Sequence, residues 1–191
     1  MLYDPKIHRG RLSRLAPEFY RGRAFVHWTM TLERRATGWL DPLHHAMMRE
    51  WMCHALGRHA LVCPAYCLMP DHVHFLWLGW SESSDQKRAI ALFREAWNLE
   101  LLRGGREWQR QAYDEVLREA QRDRGAFGTV ANYIFENPVR AGLVEDWRSY
   151  FFLGALVPGY PKMDPRDENF WERFWRIYGR LADGPTDDAS E

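Results

Sequence analysis

"ALVCPAYCLMPDHVHFLWLGW", residues 60–80, decides the fold. Two apolar runs rich in β-formers, 60–69 and 72–80, flank Met69-Pro70-Asp71. A Pro-Asp pair between such runs marks a turn, so the stretch reads as a β-hairpin. Pro64 disturbs the first run, because proline brings no N–H to a ladder. The second run carries His72 and His74 two residues apart. Side chains at i and i+2 of a strand leave the same face, so both imidazoles project together while Val73 and Phe75 face the other way.

Working outward, "AFVHWTMTL" (24–32) alternates and reads as a strand before the hairpin. "DPLHHAMMREWMCHALGRH" (41–59) opens on Asp-Pro and places Met47, Met48, Trp51, Met52 and Leu56 at helical spacing. A second helix is expected over 81–104, with a Ser/Asp start and a glycine stop. Residues 111–119 read as a fourth strand, and 125–137 as a helix closed by Pro138. An aromatic amphipathic helix follows at 169–181, and the last ten residues read as a disordered tail. The order β-α-β-β-α-β-α predicts an α+β domain, with helices packed on an antiparallel sheet.

Composition bounds the rest. The chain has 191 residues, 46% of them hydrophobic, which suits one domain with a real core. Net charge is zero, so no global basic field announces a nucleic acid. The charge is uneven, though: residues 6–23 hold six Lys/Arg against one Glu, an electrostatic footprint suited to phosphates. Three cysteines at irregular spacing do not make a disulfide scaffold. Cys53, His54, Cys63 and Cys67 lack the C-x-x-C spacing of structural zinc sites. No signal-like segment and no apolar run of about 18 residues is present, so a soluble intracellular protein is expected.

Two constellations carry chemistry. Neutral imidazoles are common metal ligands, and His72 and His74 on one strand face form a pincer open to a third ligand. The plain alternative is two partly exposed histidines on a half-buried strand. His27, in the first strand, is a candidate neighbour. The second constellation is "ANYIFENPVRAGLV" (131–144), where Tyr133 and Asn137 are four apart and share a helix face. A buried-edge tyrosine followed by a helix-ending asparagine is the ordinary reading. Brought beside two histidines, the same pair gives a nucleophile next to a metal.

The set "YCLMPDHVHFLWLG", "WQRQAYDEVLRE" and "YIFENPVRAGLV" closely resembles the IS200-like single-tyrosine transposases, and within them the REP-associated tyrosine transposases. These are HUH endonucleases, named for two histidines around a hydrophobic residue, which His72-Val73-His74 matches. The resemblance spans roughly residues 20–160. It implies a ferredoxin-like α+β HUH endonuclease fold, an antiparallel sheet with packed helices, and a catalytic domain over 23–160; composition marks a basic arm over 1–22 and an aromatic helix with an acidic tail over 161–191. The resemblance implies Tyr133 as nucleophile and His72, His74 and Asn137 as ligands of a divalent ion, Mg²⁺ or Mn²⁺. Related insertion-sequence enzymes often carry Gln at the third position, which leaves Glu136 or a water as alternatives to Asn137. Tyr113 and Tyr150 lack a polar partner at that spacing.

The implied substrate is single-stranded DNA with a foldback hairpin. Arg9, Arg11, Arg14, Arg21, Arg23 and Arg140 are the candidate DNA contacts. The implied reaction leaves a 5′-phosphotyrosine and a free 3′-hydroxyl, which can later rejoin the strand. Bond energy is kept in the intermediate, so no nucleotide cofactor is expected, and no phosphate-binding G-x-x-x-x-G-K-[ST] loop is present. The resemblance implies a cytoplasmic, nucleoid-associated protein of bacterial type with no membrane partner. It leaves monomer and homodimer open. Two other readings stand beside it: a domesticated binder of structured nucleic acid that does not cut, and a metal-dependent nuclease that uses water.

Overall fold

The computed structural model describes residues 15–117 and 124–184. Arg9, Arg11 and Arg14 lie outside the described residues, as does the tail from 185 onward. Five antiparallel strands form one sheet in the order β4-β1-β3-β2-β5. These are β1 (Phe25–Thr31), β2 (Leu61–Leu68), β3 (His72–Gly79), β4 (Tyr113–Leu117) and β5 (Leu153–Leu156). Helix α1 (Pro42–Arg58) links β1 to β2, and α2 (Gln86–Arg103) links β3 to β4. The β4-β1-β3-β2 core, with its two crossover helices, is the ferredoxin-like arrangement expected from the resemblance.

The hairpin forms as read. Leu68 pairs with Val73 and Cys67 with His74, and the Met69 N–H donates to the His72 carbonyl at 2.8 Å. The ladder shifts between Val62 and Ala65, where Pro64 has no N–H to give.

Strand alternation divides the core between two faces. Val26, Trp28, Met30, Val73, Phe75 and Trp77 pack with α1 and α2. Phe25, Cys67, Leu76 and Leu78 pack on the opposite face, against α3 (Arg124–Phe135) and α5 (Phe170–Asp183). On α3 the residues Phe127, Ala131, Ile134 and Phe135 point inward at helical spacing. His27 and His74 lie on this second face.

Three expectations need correction. Helix α2 starts at Gln86, not at Ser81, because the Asp85 carboxylate accepts from the Arg88 N–H at 3.0 Å and caps it there. The chain also has a strand, β5, that the sequence reading lacked. Its four residues include Gly154, where a side chain would meet the Tyr66 ring. Pro138 does not end the helical path. Asn137–Arg140 form one further turn, α4, with proline in its first turn, where no intrahelical donor is required. Ahead of β1, Tyr20 is fully buried and packs on Trp28.

Candidate active site

Strand β3 delivers the two histidines and β1 backs them. Thr31 pairs with His72 and Thr29 with His74, so His27, Thr29, His72 and His74 share one face at one end of the sheet. The Nε2 atoms of His72 and His74 are 3.1 Å apart. Each ring is held from behind. The Asp71 carboxylate accepts from His72 Nδ1 at 2.6 Å, and Arg35 pairs with the other Asp71 oxygen at 2.9 Å. His74 Nδ1 shares hydrogen bonds with Thr29 Oγ1 at 3.0 Å and with His27 Nε2 at 3.1 Å.

This wiring fixes the proton of His72 and leaves two places for that of His74. Asp71 can only accept, so His72 carries its proton on Nδ1 and offers a lone pair at Nε2. His74 has two satisfactory tautomers. With the proton on Nε2 it donates to His72. With the proton on Nδ1 it donates to Thr29 or His27, and both Nε2 lone pairs then face the same point. Burial disfavours charge on both rings. It lowers the His72 pKa, with Asp71 opposing, and holds the His74 pKa well below the usual imidazole value. His27 is lowered to about 4 by burial. All three are therefore neutral near pH 7, the state in which an imidazole ligates.

The pair fits a cation. Two ligands in adjacent octahedral positions at about 2.1 Å from an ion are about 3.0 Å apart, close to the observed 3.1 Å. Partners behind each ring are the usual companions of ligating histidines. Among the described residues, however, no group of three or more His, Cys, Asp and Glu side chains is suited to hold a metal. Cys63 and Cys67 are buried thiols whose pKa values burial raises, and they face no such group.

Helix α3 brings Tyr133 over the pair. Its ring is half-buried and meets His27 and His74 edge-on, with both centroid distances 6.0 Å. The Arg140 guanidinium lies 4.5 Å from the tyrosine ring centroid, close enough for a cation–π contact. Asn137 sits one turn past Tyr133, and its Nδ2 donates to the Tyr133 carbonyl at 2.8 Å and to the Ile134 carbonyl at 3.4 Å. Pro138 cannot donate to the Ile134 carbonyl, and the asparagine amide takes over part of that task. The nitrogen is thus committed to the backbone, and Oδ1 is the side-chain atom able to bind a cation.

The remaining candidates are elsewhere. Arg21 and Arg23 precede β1, whose first residue pairs with Leu78 at the opposite end of β3 from the histidines. Arg21 pairs with Asp85 at 3.5 Å, and Arg23 with Glu82 at 3.9 Å and the Ala182 carbonyl at 2.8 Å. Tyr150 donates to the Leu68 carbonyl, and Tyr113 lies on β4. Sequence reading missed Thr29, Asp71 and Arg35. Thr29 carries a signal, since it shares a strand face with His27. Arg35 carries none, because only the folded turn brings it to Asp71.

No family model and no curated protein matches the chain. Among solved structures the chain is similar to a REP-associated tyrosine transposase bound to a REP hairpin. The TM-score is 0.57 at 17% identity, over 95% of this chain and 94% of that one. At that identity the likeness is one of fold: the chain shares the α+β fold of that transposase, an antiparallel sheet with packed helices.

Proposed function

We propose that the protein is a metal-assisted, single-tyrosine transesterase acting on single-stranded DNA that carries a hairpin. The observation that carries this reading is the edge-on packing of Tyr133 on His74, within a pair of imidazoles whose Nε2 atoms converge. The hairpin-bound state of the transposase with the same fold supports the choice of substrate.

In this reading His72 and His74 would hold a divalent ion, Mn²⁺ or Mg²⁺, through Nε2, with Asn137 Oδ1 as third ligand. Bound there, such an ion would supply Lewis-acid chemistry at a phosphate oxygen. Asp71, Thr29 and His27 keep the two rings aimed. Tyr133 forms its Oη–P bond as the P–O3′ bond breaks. The phenol loses its proton, and the departing 3′ oxygen ends as a hydroxyl. The 5′-phosphotyrosine is undone when a 3′-hydroxyl attacks it, so no nucleotide is consumed. Arg140, against the tyrosine ring, offers charge to the incoming phosphate.

A specific observation favours a second reading, a hairpin-binding protein that no longer cuts. Asn137 Nδ2 is bonded to its own helix, and among the described residues no group of three or more His, Cys, Asp and Glu side chains is suited to hold a metal. Incubating the purified protein with hairpin oligonucleotides and Mn²⁺ separates the two. The transesterase leaves a protein–DNA adduct resistant to denaturation, absent with Tyr133→Phe and with His72→Ala. Binding without any adduct supports the second reading. Cleavage without an adduct, unchanged in Tyr133→Phe, supports a nuclease that uses water.

A further inference from the structure

Residues 33–35 form a short turn just past β1, at the histidine end of the sheet. Both Arg34 and Arg35 adopt φ 55°, a left-handed backbone that arginine rarely takes and that glycine or asparagine adopts more easily. The turn is held in place by its backbone. The Leu32 N–H donates to the Asp71 carbonyl at 2.9 Å, the Glu33 N–H to the Glu107 carbonyl at 2.8 Å, and the Arg35 N–H to the Leu32 carbonyl at 3.0 Å. One of these anchors is thus the residue that orients His72.

The two side chains differ. Arg35 pairs with Asp71, so only a carboxylate and an imidazole ring separate its guanidinium from His72 Nε2. Its charge is felt at both histidines. Arg34 is exposed, and among the described residues it has no ion-pair partner. Arg106, the neighbouring cation, is committed to the carbonyls of Thr37 and Gly104. A strained turn that carries an exposed arginine next in sequence to the Arg35–Asp71–His72 chain is of the kind found at ligand clamps.

We infer that the Arg34–Arg35 turn is a phosphate clamp, holding a backbone phosphodiester of the single strand that enters the His72–His74 centre. This rests on the DNA reading above. Arg34 takes the phosphate, and Arg35, through Asp71, keeps His72 aimed as the strand arrives. Arg35 is a positioning residue here, while Arg34 is a binding residue. The clamp reads no base, because phosphate contacts position a strand without specifying its sequence.

The test is equilibrium binding of the full chain, without metal, to a fluorescent hairpin oligonucleotide with a single-stranded 5′ extension, over a range of salt. Each phosphate contact to a single strand contributes about 0.7 to the slope of log K against log salt. Arg34→Asn removes the charge and tolerates the left-handed backbone, and it is expected to lower the slope by about 0.7. Arg34→Lys keeps the charge and should keep the slope. Arg58→Ala is the control, an exposed cation at the end of α1, near the far end of the sheet. An unchanged slope in Arg34→Asn, with wild-type binding intact, overturns the clamp and leaves the DNA reading standing. An equal loss in Arg58→Ala also overturns it, because any surface cation then serves. A wild-type chain that does not bind the hairpin overturns both.

Discussion

His72 and His74 present their Nε2 atoms to each other at 3.1 Å, and each ring is fixed from behind by a different strand or turn. Two neutral imidazoles so arranged share one proton when no cation is present. When a cation takes its place, the His74 proton has Thr29 and His27 to accept it. Both Nε2 lone pairs can face one point without rebuilding either side chain.

Removing the support behind one ring tests that arrangement. Asp71→Asn frees His72 from its carboxylate, and the affinity for Mn²⁺ should fall about 10–100-fold. Titration followed by the electron-paramagnetic signal of free Mn²⁺ measures it. An unchanged affinity would mean that His72 is not a ligand.

Asn137 is asked to do two things, and a substitution can separate them. Asn137→Asp keeps the oxygen but replaces the Nδ2 donor with a second oxygen, against the Tyr133 carbonyl. The metal-free protein should lose about 1–3 kcal/mol, and added Mn²⁺ should restore much of it. Thermal melts with and without metal read both effects. Destabilisation that metal leaves untouched would assign Asn137 to the helix alone.

The histidines also set a pH dependence. His27 and His45 are lowered by burial to about 4, from an ordinary value of 6.5. Between those values the unfolded chain binds protons that the folded chain refuses, so the two histidines lower stability as pH drops from about 6.5 to about 4, and their contribution is constant below that. Asp41 and Asp71, whose pKa values lie below the ordinary 3.8, contribute only at lower pH. Denaturant melts in chelator at pH 7, 6, 5 and 4.5 should give steadily falling midpoints. A flat profile above pH 4.5 would contradict the burial of these neutral rings.

Away from the site, Gln86 fastens α2 to the sheet. It is fully buried, donates to the Ala24 carbonyl at 2.7 Å and the Trp77 carbonyl at 3.1 Å, and accepts from Trp28 Nε1 at 3.1 Å. Gln86→Leu leaves those groups without this partner and should cost about 3 kcal/mol, lowering the melting temperature by roughly 6–12 °C. A melt within a degree of wild type would refute that role.

Much of this geometry was legible in the sequence because it rests on short-range periodicity. The i, i+2 spacing of His72 and His74 fixes their common face wherever the strand goes. The i, i+4 spacing of Tyr133 and Asn137 does the same on a helix. The Met69-Pro70-Asp71 turn leaves little choice but a hairpin. What escaped depends on contacts distant in sequence. Strand β5 has four residues and a glycine, too few for alternation to register, and it is recognisable only beside β2. The Asn137–Arg140 turn was hidden because a proline that reads as a stop also suits the first turn of a helix. Arg35 reaches the site through a backbone conformation that arginine seldom adopts, so no propensity points to it.

The central claim is that the Tyr133 oxygen becomes bonded to DNA phosphorus. The most direct measurement is mass spectrometry of proteolysed protein after reaction with a single-stranded hairpin oligonucleotide and Mn²⁺, followed by nuclease trimming. The account predicts a nucleotide mass on the peptide containing Tyr133, localised to that residue and absent when His74→Ala protein is used. A nucleotide on another tyrosine, or cleaved DNA with Tyr133 unmodified throughout the time course, would contradict it.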